Sequence, residues 1–159
     1  GADTERKPKM SVSVGDKAPD FTLSNQFGED FTLSSQGKPV ALVFYPFSFS
    51  GLCTGELCEL RDNIQMFRDA KVELVGISID SKYTQAAFAK SENYDFQLLA
   101  DFWPHGEVSQ KYGVFLEDKG FSTRATFLID AQGVIAAKFV TAPGQARDLA
   151  SYRKALELI

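Results

Sequence analysis

Two cysteines and one histidine are all that these 159 residues contain of either type. Two cysteines are too few for a secreted disulfide scaffold, and a chain of this length can fill a core without one. The five-residue spacing of Cys53 and Cys58 does not suit zinc, and His105 adds only one more soft ligand. Neither a metal nor another cofactor is therefore expected. Basic charge is also scarce: 17 Lys and Arg against 21 Asp and Glu leave a net charge of −4. No cationic surface for phosphates or anionic lipid follows from that balance, so nucleic acid and membranes are not expected partners. Nor is there a long hydrophobic run. The longest, "VALVFYPF" from Val40 to Phe47, is far short of the ~20 residues of a membrane helix. There is no repeat or low-complexity block in the body of the chain. A soluble protein in a reducing compartment, the cytoplasm, is the expectation.

With 44% hydrophobic residues, the chain can bury one substantial core. The opening "GADTERKPKM" carries no apolar signal region. Residues 1–10 are read as a disordered leader or tag remnant, and residues 11–159 as a single domain. Two Phe-Thr-Leu runs, at 21–23 and 31–33, flank a polar turn and predict a β-hairpin. The run at 39–47 is apolar throughout, the mark of a strand covered on both faces. From 51 to 70, Leu57, Leu60, Ile64 and Phe67 recur at helical spacing, and "VELVGISI" follows as another buried strand. Strand, helix and strand in that order call for a parallel pair. Further on the chain reads as a helix over 83–94, a short strand "FQLLAD" and a short helix closed by Gly113. Antiparallel strands at 125–130 and 134–140 come next, then a final helix with Leu149, Tyr152, Leu156 and Ile159 on one stripe. The fold class is α/β: a thioredoxin-like sandwich, with a mixed sheet of about five strands flanked by helices and an N-terminal β-hairpin.

Cys53 falls where the buried strand gives way to a helix, close to free backbone N–H groups and the positive end of the helix dipole. An ordinary thiol is only about 3% ionised at pH 7, and making it mostly thiolate requires roughly 3.4 kcal/mol. A helix terminus supplies about 0.3 to 1 kcal/mol, occasionally ~2, so a cation or several hydrogen bonds must add the rest. Arg124, just ahead of a predicted central strand, is the candidate; the plain alternative is a solvated surface arginine. Cys58 poses a geometric problem. Five residues along an ideal helix separate Cα atoms by about 8.6 Å, beyond the ~7 Å reach of a disulfide. A bond between the two sulfurs needs the helix to unwind, which Gly55 favours by about 1 kcal/mol over alanine. Cys58 as a small buried apolar residue is the alternative. His105, in a Pro-Gly loop, is read as structural or surface.

The segment Pro46-Phe-Ser-Phe-Ser50-Gly-Leu-Cys53, set between buried strand and helix, resembles the active-site pattern of the peroxiredoxins. The resemblance extends over about residues 15–152. "APDFTL", "DFWPHGEVSQKYGVF" and "RATFLIDAQG" are most similar to the one-cysteine alkyl hydroperoxide reductase E group, whereas Cys58 with Glu56 and Arg61-Asp62 resembles peroxiredoxin Q, also called bacterioferritin comigratory protein. What the resemblance implies is a thiol-dependent peroxidase acting on hydrogen peroxide and organic hydroperoxides. Cys53 would be the attacking thiolate, Arg124, Ser50 and the Cys53 N–H the donors to the leaving oxygen, and Pro46 a wall against water. Glu56 would orient Arg124, or be merely a first-turn acid, and Ser50 would otherwise be a helix cap. Cys58 would resolve the sulfenic acid as an intramolecular disulfide, reduced by thioredoxin, a glutaredoxin-like protein or a low-molecular-weight thiol. Members of both groups are monomers or dimers, so a homodimer is an open expectation. Tyr45, Phe47 and Phe49 would line its interface or a substrate pocket. A peroxide-sensing switch or partner-binding module without turnover is the rival function.

Overall fold

The computed structural model describes residues 12–159; the leader expected over residues 1–10 lies outside them. The described chain opens on a hairpin, β1 (Thr22–Ser24) against β2 (Asp30–Thr32), antiparallel. Asn25 builds its turn, the side-chain oxygen accepting from the N–H groups of Phe27 and Glu29 at 2.9 and 3.0 Å. β3 (Val40–Phe44) is buried at every position and continues through a loop into α1 (Gly51–Asp62). After a break come α2 (Gln65–Asp69), β4 (Glu73–Ser78), α3 (Lys82–Glu92), β5 (Gln97–Ala100) and α4 (Glu107–Lys111). A small antiparallel hairpin, β6 (Phe115–Leu116) with β7 (Phe121–Ser122), leads into β8 (Arg124–Ile129), β9 (Ile135–Thr141) and α5 (Leu149–Leu156).

The main sheet has the order β5-β4-β3-β8-β9. β3, β4 and β5 run parallel, while β8 is antiparallel to both β3 and β9. Alternation along β3 divides the interior. Ala41 and Val43 face a core completed by Leu57 and Leu60 of α1, Phe67 of α2, Phe88 of α3 and Tyr152 of α5. Val40, Leu42 and Phe44 face a second core, where Phe21 and Phe31 of the first hairpin meet Val108 and Tyr112. This is the thioredoxin-like sandwich that the element order predicts.

Three details differ from the sequence reading. The single helix expected over 51–70 is two, because the chain leaves helical geometry at Asn63, whose φ is −118. The Asn63 amide turns back to the Glu59 carbonyl at 2.8 Å, the local competition that makes asparagine a poor helix interior residue. Ile159, expected on the buried stripe of the last helix, lies past its end and is exposed; Ala155 is buried beside Tyr152 instead. The β6–β7 hairpin was too short to carry a periodic signal.

Gly76 of β4 makes room for side chains on either side of it. A Cβ there would stand 2.8 Å from Leu98 Cδ2 and 3.1 Å from Tyr45 Cε1, both in fully buried side chains. Gly76→Ala should therefore lower unfolding stability by about 1–3 kcal/mol, the usual effect of overpacking, read as a shifted midpoint in urea.

Candidate active site

Register brings three distant segments to one end of the sheet. β3 ends at Phe44, which pairs with Ala125, and the neighbouring Arg124 pairs with Thr141 at the close of β9. The loop entering α1, the first residue of β8 and the loop leaving β9 therefore meet. Cys53 is fully buried in the first turn of α1 and is a free thiol. Among the described residues its backbone N–H has no acceptor, as first-turn amides generally have none.

Glu56, one turn later, is buried and carries the charges that surround the site. Its Oε1 accepts from Arg124 Nη1 and from Arg147 Nη2, both at 2.8 Å. Its Oε2 accepts from the Arg147 backbone N–H at 2.6 Å and from Arg147 Nε at 3.0 Å. Both arginines are nearly sealed, with side chains 3% and 0% exposed. Arg147 Nη1 reaches Thr126 Oγ1 at 3.2 Å, and that hydroxyl lies 3.0 Å from the Tyr152 hydroxyl. Arg124 Nε donates to the Pro143 carbonyl at 2.8 Å. Arg124 Nη2 makes no hydrogen bond among the described residues, so it is a donor still in hand. Two guanidinium groups against one carboxylate leave the cluster with an excess positive charge. Burial pushes the Glu56 carboxyl up, but the hydrogen bonds and charge of Arg147, aided by the charge of Arg124, outweigh it and hold that carboxyl below the ordinary range.

The loop of residues 45–50 is carried by a buried polar network. Tyr45 was expected with Phe47 and Phe49 at an interface or pocket, but it is fully buried. Its hydroxyl lies 2.9 Å from Ser48 Oγ and 3.2 Å from Gln85 Oε1. Gln85 also donates to Ser78 Oγ and the Leu99 carbonyl, while Asp80 accepts from the Ser48 N–H at 2.8 Å. Pro46 is buried, and Phe47 and Phe49 remain exposed. Phe49 takes the left-handed backbone region, with φ 70, and its ring packs 5.0 Å from Phe88. Ser50 is the N-terminal flanking residue of α1, yet its hydroxyl does not cap the helix; it donates to the Phe47 carbonyl at 3.0 Å.

Cys58 is half-buried on another face of α1, packed against the core and hydrogen-bonded as well. Its Sγ lies 3.3 Å from the Tyr94 hydroxyl and 3.8 Å from Glu92 Oε2. The helix between the cysteines is intact, so the thiol form keeps them apart. Of the residues singled out by sequence, Cys53, Glu56 and Arg124 are brought together, with Pro46 and Ser50 on the loop beside them. Arg124 is buried, which removes the surface-arginine alternative. His105 stands elsewhere, its Nε2 2.7 Å from the Gly120 carbonyl, where it ties its loop to the β6–β7 hairpin. Arg147 was missed. It sits in an irregular loop, and no local pattern marks it as half of an ion cluster.

The AhpC/TSA family model matches residues 14–138. The alkyl hydroperoxide reductase E of Mycobacterium tuberculosis is 42% identical over 147 residues, covering 91% of this chain and 96% of that protein. A chloroplastic peroxiredoxin Q of Sedum lineare is 38% identical over 126 residues, covering 78% of this chain and 67% of that protein. The crystal structure of peroxidoxin BcpB from Mycobacterium tuberculosis superposes with a TM-score of 0.80 at 34% identity, covering 92% and 96% of the two chains.

Glu56→Gln should reveal the ion cluster directly. It leaves two buried guanidinium groups without their anion, a loss of about 3–5 kcal/mol at neutral pH. A carboxyl held low in the folded state contributes stability that is complete above its ordinary value of 4.5 and is lost as pH falls through the folded value. Urea unfolding from pH 7 to pH 3 should therefore show the wild-type advantage shrinking below about pH 4.5. Parallel curves would contradict the assignment.

Proposed function

This chain belongs to the AhpC/TSA family and is a thiol-dependent peroxidase, and from that premise we propose that Cys53 attacks the hydroperoxide and Cys58 resolves the product. The charge balance at the N-terminus of α1 carries this reading. Arg124, Arg147 and Glu56 sum to one positive charge in a sealed interior, and an anionic sulfur at Cys53 neutralises it. Buried charge without compensation is expensive, so the cluster favours the thiolate, which is the nucleophilic form.

The Cys53 thiolate attacks the terminal oxygen of the hydroperoxide. An S–O bond forms, the O–O bond breaks, and the departing oxygen takes a proton from solvent, equivalent to the one the Cys53 thiol gave up, to leave as water or an alcohol. Negative charge grows on that oxygen in the transition state, and preformed donors lower its energy. Arg124 Nη2 and the Cys53 N–H are the unengaged donors here. Arg147 has all three side-chain nitrogens engaged and serves to hold Glu56. The Ser50 hydroxyl, its proton directed to Phe47, offers the oxygen lone pairs to the proton of the incoming peroxide. Pro46 adds no N–H of its own and shields the sulfur. Exposed Phe47 and Phe49, on the loop that leads into α1, suit organic hydroperoxides as well as hydrogen peroxide.

The Cys58 thiolate then attacks the Cys53 sulfenic sulfur. The S–S bond forms as the S–O bond breaks, and the hydroxide takes up the proton that Cys58 gave up, leaving as water. An external thiol, from thioredoxin, a glutaredoxin-like protein or a small thiol, reduces the disulfide. Two free thiols suit a reducing cytoplasm, and among the described residues no helix is long and apolar enough to cross a membrane. The exposed phenylalanines also provide a surface for a homodimer. Sensing without turnover is the disfavoured reading, since the relatives are named as reductases and peroxiredoxins.

Cys53→Ser should abolish hydroperoxide consumption, and activity surviving that change would end the assignment. After one equivalent of peroxide, mass spectrometry should find two hydrogens lost in the wild type and one oxygen added in Cys58→Ser. An added oxygen in both proteins would reduce Cys58 to a packing residue.

A further inference from the structure

Between the two cysteines, α1 is held from outside the helix at two places: Arg124 and Arg147 grip Glu56, and Tyr94 reaches the turn on either side of it. The Tyr94 hydroxyl donates to the Thr54 carbonyl at 3.3 Å and lies 3.3 Å from Cys58 Sγ. A phenol has one proton. With that proton on Thr54, the Tyr94 oxygen is an acceptor for the Cys58 thiol, whose one proton is shared with Glu92 Oε2 at 3.8 Å. Thr54 immediately follows Cys53, and Cys58 lies one turn beyond it, so the two contacts straddle the segment that has to open before the sulfurs can meet.

We propose that Tyr94 is a positioning residue for the resolving step: its hydroxyl clips the Thr54–Cys58 turn shut and thereby sets how long the Cys53 sulfenic acid waits for Cys58. The proposal rests on the reading that Cys58 is the resolving thiol.

The clip is anchored on a rigid part of the molecule. The Tyr94 ring is 7% exposed, stacked on Phe96 at 4.9 Å and 22°, and edge-on to Phe88 at 5.2 Å and 89°. Its backbone follows Asn93, which ends α3 in the left-handed region with φ 57. The other end of the clip grips a weak stretch of helix. α1 begins with glycine, has no side-chain cap and no acid in its first turn, and has Gly55 in open space. Beyond Cys58 the helix is tied down again, where Arg61 Nη1 donates to the Glu92 carbonyl at 2.6 Å. Opening of the stretch between the cysteines therefore has to release the Tyr94 clip as well as Glu56 from its arginines. While the clip holds, a second peroxide can reach the sulfenic acid and carry it to sulfinic acid.

Tyr94→Phe removes the hydroxyl and keeps the ring. After rapid mixing with one equivalent of peroxide, acid quenching and mass spectrometry follow the oxygen added at Cys53 and the later loss of two hydrogens. Oxidation of Cys53 should proceed at the wild-type rate, while disulfide formation should accelerate about five-fold, the factor of one net hydrogen bond. The peroxide concentration that converts half the protein to sulfinic acid should rise by about the same factor. Gly55→Ala, which meets no neighbouring atom and strengthens the helix, should slow disulfide formation by roughly four- to five-fold. Disulfide formation at an unchanged or lower rate in Tyr94→Phe would overturn the role of Tyr94, even if its melting temperature fell. Absence of a disulfide in the wild type would overturn the resolving role of Cys58 and the clip with it.

Discussion

Two arginines buried against one carboxylate are the constraint from which the active-site end of this protein follows. Arg124 comes from β8, Arg147 from the loop after β9 and Glu56 from α1. The cluster therefore fixes three elements that are remote in sequence, and its excess positive charge lies beside the first turn of α1. A buried ion cluster is weak evidence of stability gained, because desolvation offsets much of the attraction. Its value here is geometric: it ties the first residue of β8 and the loop after β9 to α1, one turn beyond Cys53.

The fold was largely legible because its signals are periodic. A strand buried on both faces, such as Val40–Phe44, has no polar positions to mislead, and the alternation around Gly133 marks the β8–β9 turn. Local chemistry decided the failures. Asn63 divides a run whose apolar spacing continues through it, and Ile159 keeps the helical spacing after the helix has ended. Within the site, Cys53 and the residues of its motif were visible as a pattern. Arg147 and the Tyr45–Ser48–Gln85 network were not, since each depends on contacts across tens of residues that leave no trace in neighbouring positions.

The helices α1 and α3 show how differently stability can be distributed. α3 starts with a side-chain cap, Ser81 accepting from the Thr84 N–H at 3.2 Å, and ends on a left-handed asparagine. α1 has neither device and relies on what its side chains touch: Leu57 and Leu60 in the core, Glu56 on its arginines, and Cys58 beside Tyr94. A helix held by tertiary contacts can be released by loosening a few of them, whereas one held by its own caps cannot.

Phe49 gives the resting protein a stored tension. A bulky residue in the left-handed region carries roughly 1–2 kcal/mol of steric penalty, and the ring contact with Phe88 helps to keep it there. Any rearrangement that frees the loop from that contact lets the backbone relax, as a wound spring does when its catch is lifted. A glycine at this position would remove the tension along with the ring, leaving the folded and opened forms to be balanced by the remaining contacts alone.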